Sequence, residues 1–297
     1  MKLKNSFHPY AFTTIVCWSI SYILTKFALQ HFSTSALGFL RYFIASVLLA
    51  AMAAATRMKL PKKRDLPWFF LAGGIGFFLY MVTFNEGQGR ASAATGSVMI
   101  ATAPVMTALL ASIFYREKLR PCQWIAVFLE FAGVGVITLI NGTFSVNSGL
   151  LLLFLAALSL SLYNLFQRKL TRDYTPLQVS TYSIFAGTLL LAVFLPGSFQ
   201  QVAAAPAVQL VYLGILGVFS SALGYVTWAI AFARAEKTSQ VSNYMFLTPF
   251  LASLSGFVLA GEIPDRATLL GGGIILTGVF LFNFGDAVFG RLFKKEM

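Results

Sequence analysis

Apolar residues run along the chain in blocks of about twenty, separated by short polar or charged interruptions with Pro or Gly at many of the breaks. A bilayer core about 30 Å thick is crossed by about 20 helical residues at 1.5 Å each, so each block has the length of one crossing. The pattern predicts ten membrane helices, at 9–29, 35–56, 67–86, 92–114, 122–140, 148–167, 176–195, 207–231, 239–259 and 267–289. Only short turns and two small tails remain outside them. The first block lacks a small-residue cleavage site and carries Lys26 near its far end, so it is expected to be retained and not removed as a signal peptide.

Composition agrees. Of 297 residues, 58% are hydrophobic and 11% charged, where soluble domains carry about 25% charged residues. The 30 Phe alone exceed what a water-soluble interior of this size would hide. The formal net charge of +12 raises nucleic-acid binding, but the basic residues form short clusters between apolar blocks and not one basic face, so no nucleic-acid partner is expected. They fit the positive-inside rule instead. With the N-terminus inside, Arg90 and Arg266 fall in outer loops, Lys26 and Arg41 lie within spans, and every other Lys and Arg faces the cytoplasm. A multi-pass plasma-membrane protein, of the bacterial inner-membrane type, with both termini cytoplasmic is therefore expected. Cys17 and Cys122 both lie in or beside apolar blocks and suggest no disulfide, and no metal site or cofactor is expected.

The chain repeats itself. Pro104 precedes Glu117 by thirteen residues, and Pro249 precedes Glu262 by the same interval, both at an offset of 145. That shift also carries Gly133 onto Gly278 and Tyr80 onto Tyr225. Toward the N-terminal side it drifts to about 142, pairing Lys26 with Arg168. The repeat divides the chain into two five-helix halves, 1–145 and 146–297. Five is odd, so the second half enters the membrane in the opposite direction, an arrangement that can expose a midplane site to each side in turn.

These residues resemble the drug/metabolite transporter superfamily in its ten-helix EamA-type branch. The matching stretches are WSISYILTK from Trp18 to Lys26, Arg41, the small-residue opening of the fourth span from Ala91 to Gly96, Pro104 with Glu117, Pro249 with Gly261 and Glu262, and GGGIILTGV from Gly271 to Val279. The resemblance implies an all-α membrane fold with a central cavity lined by spans one to four and six to nine, spans five and ten lying outside it. It also implies transport of small organic solutes such as amino acids. Glu130 departs from the pattern, because the family's residue there is usually apolar, as Ile275 is in the second half.

Several residues could form the passage. Trp18, Tyr22, Thr25 and Lys26 share one helical face, which either lines a cavity or packs, with Lys26 then reaching the outer headgroups. Arg41 lies too deep in its span to be ignored and serves gating or substrate binding, or else snorkels or pairs structurally, for example with Glu86. Tyr80, Tyr225 and Trp228 suit a cavity for an apolar or zwitterionic solute, or aromatic packing. Thr95, Met99, Thr102 and Met106 recur on one face of the fourth span. Gln240, Asn243, Tyr244 and Thr248 form a counterpart in the ninth, and Asn164 and Gln167 extend the polar set from the sixth. Pro104 and Pro249 each remove a helix hydrogen bond and are candidate hinges. Glu130 is either a proton carrier or a buried, protonated structural residue. Glu117 and Glu262 are expected to cap helices or pair locally with nearby Arg and Lys.

The expected function is a secondary transporter of small organic metabolites, amino acids or related solutes, in the direction of export, with a small-molecule substrate and lipid as its partners. Alternatives are a multidrug or other uptake permease of the same fold and, further off, a channel, receptor or intramembrane enzyme. The enzyme reading lacks a nucleophile with its base, since His8 and His31 are the only histidines and lie at opposite span ends. No phosphate-binding loop is present to couple ATP. The run Gly271 to Gly273 with Gly278 lets the last span pack closely within the chain or in a homodimer.

Overall fold

The structure is a computed structural model describing residues 6–115, 119–140, 148–235 and 238–293. Among the described residues all regular structure is helical. The first helices are α1 (His8–Ala28), α2 (Thr34–Ala55), α3 (Lys63–Gln88), α4 (Ala93–Phe114) and α5 (Pro121–Ile140). The second set comprises α6 (Ser148–Leu170), α7 (Pro176–Leu191), α8 (Ala207–Arg234), α9 (Thr248–Ala260) and α10 (Arg266–Phe293). Among the described residues, seven segments are long and apolar enough to cross a membrane. These are α1 to α4, α6, α8 and α7 with the short helix Leu195–Ala203 that continues it.

Local chemistry sets many of the ends. Ser33 caps α2 by accepting from the Ala36 N–H at 3.3 Å, and Ser92 caps α4 by accepting from Thr95 at 3.0 Å. Thr175 and Gln178 form a reciprocal capping box on α7. Gly261 ends α9 at φ 64°, a backbone conformation that favours glycine.

Several of the helical segments are irregular. α3 and α8 each contain a π-helical stretch, Gly74–Leu79 and Leu216–Leu223. Each stretch ends just before a tyrosine of the repeat pair, Tyr80 or Tyr225. α4 is interrupted at 101–102 and resumes with Pro104 in its first turn. Before α9, a short helix Thr238–Ser242 and a 3-10 stretch Asn243–Leu247 lead into Thr248 and Pro249.

Helices of the first and second sets pair in similar ways. α1 packs on α8 and α9, as α6 packs on α3 and α4; α2 packs on α7 and α8, as α7 packs on α3. α5 and α10 pack on each other along their length. A β-carbon added at Gly133 would lie 2.7 Å from the Gly271 carbonyl oxygen, and one added at Gly278 would lie 2.9 Å from that of Ala126. The 145-residue shift turns one contact into the other, so this is a contact of a surface with its own counterpart.

Small residues such as Ser180, Thr181 and Ser183 fill the helix contacts, which lets backbones approach closely. The outer surface is apolar: Val47 on α2, Phe128 on α5 and Phe257 on α9 are each more than half exposed. Such a surface is incompatible with water and suited to lipid.

Candidate functional site

At the centre, side chains from both halves enclose a cavity lined by Trp18, Tyr22, Arg41, Tyr80, Tyr225 and Thr248, with Ser21, Phe84, Ile100, Leu160 and Met245 completing it. Its helices are α1, α2, α3, α4, α6 and α8 and the start of α9, so α5 and α10 contribute nothing to the lining. The free volume is about 20 Å³, about one water. A larger solute enters only if lining side chains move.

Aromatic contacts hold the wall. The Trp18 ring lies 5.1 Å from both Tyr225 and Trp228, and its indole N–H donates to the Ser220 carbonyl at 3.1 Å. Tyr42 donates to the Tyr225 hydroxyl at 3.3 Å, and Ser180 donates to the Tyr225 carbonyl at 2.9 Å. Across the cavity Tyr80 stacks on Phe84, whose edge meets Tyr22. The π-helical stretches place Tyr80 and Tyr225: by widening one turn they rotate the remainder of the helix about its axis, and such bulges recur at functional sites. Gly76 in the first stretch permits a close crossing, since a β-carbon there would lie 2.8 Å from that of Tyr163.

Arg41 is 4% exposed and reaches the cavity from α2. It does not pair with Glu86, which binds Arg90 at 3.1 Å and accepts from Thr34. Arg41 donates instead to Ser221 Oγ at 3.4 Å and Thr25 Oγ1 at 3.3 Å.

Other expected site residues lie around this centre. Trp228 donates through its indole to Asn164 Oδ1 at 3.2 Å, and the Asn164 amide donates to Thr107 at 3.2 Å. This buried chain joins α8, α6 and α4 behind the aromatic wall. Thr95 bonds Thr268 at 2.8 Å, while Met99 and Thr102 are buried in α4 outside the lining. The side chains of Gln240 and Asn243, and Glu117 as a whole, lie outside the described residues. Glu130 is buried on α5 against Gly278, with neither oxygen hydrogen-bonded among the described residues.

Long-range contacts tie down both ends of α1. At one end Lys26 of α1 forms an ion pair with Glu262, whose other oxygen accepts from the Ala93 N–H at the start of α4 at 3.0 Å. Lys26 therefore does more than reach headgroups, and Glu262 pairs across the protein and not with its neighbour Arg266. At the other end the His8 imidazole contacts the Tyr244 hydroxyl, and Arg168 donates to Thr238 at 2.7 Å. Tyr244 thus belongs to this end and not to the cavity lining. Sequence reasoning left Ser21, Phe84, Ile100, Leu160 and Met245 unmarked, because each reads as ordinary apolar or small helix filler.

A helical membrane protein with an enclosed, polar-aromatic centre and contacts tying down both ends of α1 belongs to the class of transporters. The chain belongs to the EamA-like transporter family, whose model matches residues 6–139 and 147–284. It is 32% identical over 270 residues to a probable terminal-alkyne amino-acid exporter of Streptantibioticus cattleyicolor, covering 91% of each chain. It is 33% identical over 268 residues to the uncharacterized transporter YdfC of Bacillus subtilis, covering 88% of this chain and 86% of that one. An S-adenosylmethionine uptake transporter of Rickettsia prowazekii is 23% identical over 279 residues, covering 91% of this chain and 92% of its own. A crystal structure 19% identical in sequence shares the fold at a TM-score of 0.67, covering 93% of this chain and 96% of that one. The protein is thus a multi-pass membrane transporter with a small-molecule substrate.

Proposed function

We propose that the chain is a secondary exporter of amino acids or related small metabolites, working by alternating access across the plasma membrane with both termini cytoplasmic. Its halves, 1–145 and 146–297, form two inverted five-helix repeats around the cavity at Arg41. The observation that carries this reading is the enclosed centre with a contact between the halves at each end of α1: Lys26 with Glu262 at one end, His8 with Tyr244 at the other. A channel has no use for two closures around one occluded site, whereas alternating access needs both. The reciprocal contact of Gly133 with Gly271 and Gly278 with Ala126 supports the inverted repeat, because a two-fold axis generates such pairs.

Pro104 and Pro249 sit immediately after the breaks in the helices at 101–102 and 243–247, which supports their assignment as hinges. Trp18, Tyr22, Tyr80 and Tyr225 form the substrate-contacting wall. Export, and not uptake, is supported by the relative named as an amino-acid exporter, which at 32% identity is nearer than the uptake transporter at 23%. Flux of radiolabelled amino acids from proteoliposomes containing the purified protein tests this directly. Saturable flux above empty liposomes is the expected result; flux that rises linearly with concentration, or equals the empty-liposome rate for every amino acid, would overturn the reading.

A further inference from the structure

We infer that Arg41 is the anchor for a carboxylate on the transported solute, and that Thr248 supplies a second hydrogen bond to the same group. The inference rests on the transporter reading and names the chemistry its cavity selects. A guanidinium stays charged under all physiological conditions and presents five N–H donors. At Arg41 two of its nitrogens make long hydrogen bonds to neutral hydroxyls, those of Ser221 and Thr25, and Nη2 donates to no protein acceptor among the described residues. No carboxylate among the described residues lies within ion-pair distance of it. Lys26, on α1, has its acid in Glu262.

A charge buried to this degree in a membrane protein is retained when it pairs with an opposite charge, because its desolvation is otherwise uncompensated. The protein supplies no such partner among the described residues, and Arg41 faces the cavity through which a solute would pass. The Thr248 hydroxyl lines the same cavity, is buried and has no hydrogen-bond partner among the described residues. A carboxylate between them would take charge-assisted bonds from Arg41 and one from Thr248. The remaining wall, with Trp18, Phe84, Ile100 and Leu160, is apolar or aromatic and suits a hydrocarbon body. Among the described residues no carboxylate lines the cavity, so a solute amine would find ring faces and hydroxyls but no counter-charge there. The acid group is therefore required and the amine is optional.

The test separates binding from flux. Thermal stabilisation of the purified full-length protein in detergent is measured with the twenty L-amino acids and straight or branched monocarboxylates of two to eight carbons. Each ligand that stabilises is then compared with its methyl ester and its primary amide. The expected result is stabilisation by at least one carboxylate, with ester and amide at least tenfold weaker. Arg41→Gln should abolish that preference, Arg41→Lys should keep part of it, and Thr248→Val should weaken the acid several-fold without weakening the ester. Equal binding of acid, ester and amide, an undiminished preference in a folded Arg41→Gln protein, or no carboxylate-dependent stabilisation at all would overturn the anchor. Should Arg41→Gln fail to fold, the Thr248→Val and ester comparisons decide alone. Saturable flux without carboxylate preference would refute the anchor and leave the transporter standing. Carboxylate-selective binding without flux would do the reverse.

Discussion

Removing the charge of Glu262 should open the end of the protein that Lys26 closes. Glu262 holds three elements at once: Lys26 on α1, the start of α4 through the Ala93 N–H, and its own turn between α9 and α10. The pair is partly solvated, with side-chain exposures of 34% for Lys26 and 18% for Glu262, so its worth lies nearer that of a surface pair than a buried one. To this is added the attraction of a carboxylate to a helix N-terminus. Together these come to about 1–2 kcal/mol, which Glu262→Gln would largely remove while keeping a hydrogen-bond acceptor for Ala93. If the contact exists only in the state closed at that end, the open population rises roughly 5- to 30-fold. The assay is labelling of Ser21→Cys, which lines the cavity, in a Cys17→Ser, Cys122→Ser background, with a membrane-impermeant maleimide added outside. A labelling rate at least fivefold higher in Glu262→Gln is expected, with unchanged elution on size exclusion. Equal rates would show that the ion pair does not hold the outer end shut.

The packing makes three further outcomes testable. Trp228→Phe leaves Asn164 Oδ1 buried without its indole donor, which should cost about 1–3 kcal/mol and lower the melting temperature in detergent. Gly76→Ala forces a β-carbon against Tyr163 in the α3–α6 crossing, so a loss of about 1–3 kcal/mol in the same melt is expected despite alanine's better helix propensity. Glu130→Gln should retain amino-acid flux and its pH profile, because Glu130 sits on the α5–α10 pair outside the cavity with neither oxygen bonded; a lost or shifted pH profile would restore it as the proton carrier.

Much of the helix layout is legible in the apolar pattern, because in lipid every backbone group must be satisfied within its own helix. The expected 35–56 corresponds to Thr34–Ala55, 92–114 to Ala93–Phe114 and 122–140 to Pro121–Ile140. The expected 176–195 runs past Leu191 into a 3-10 turn and a short helix. That continuation stays non-polar through residues 192–197 and turns polar only from Ser198, so hydropathy gives it no sharp end. The π-helical stretches of α3 and α8 were invisible, since they leave no mark in hydropathy and depend on glycine contacts such as Gly76 with Tyr163. Within the site, Trp18, Tyr22, Arg41, Tyr80 and Tyr225 stood out as large or charged side chains at inward positions. Which side chains they pair with was not legible. Ser221 and Thr25 at Arg41, and Glu262 at Lys26, are contacts across helices that local spacing does not encode. Thr248 was visible only as part of a polar face, and its place beside Arg41 depends on how the two halves meet.

Topology tests the central claim most directly. With single cysteines at positions 117 and 262 in intact cells, the mirrored halves require an impermeant thiol reagent to reach 262 from outside and 117 only after the membrane is opened. Both positions reacting from the same side would contradict the account.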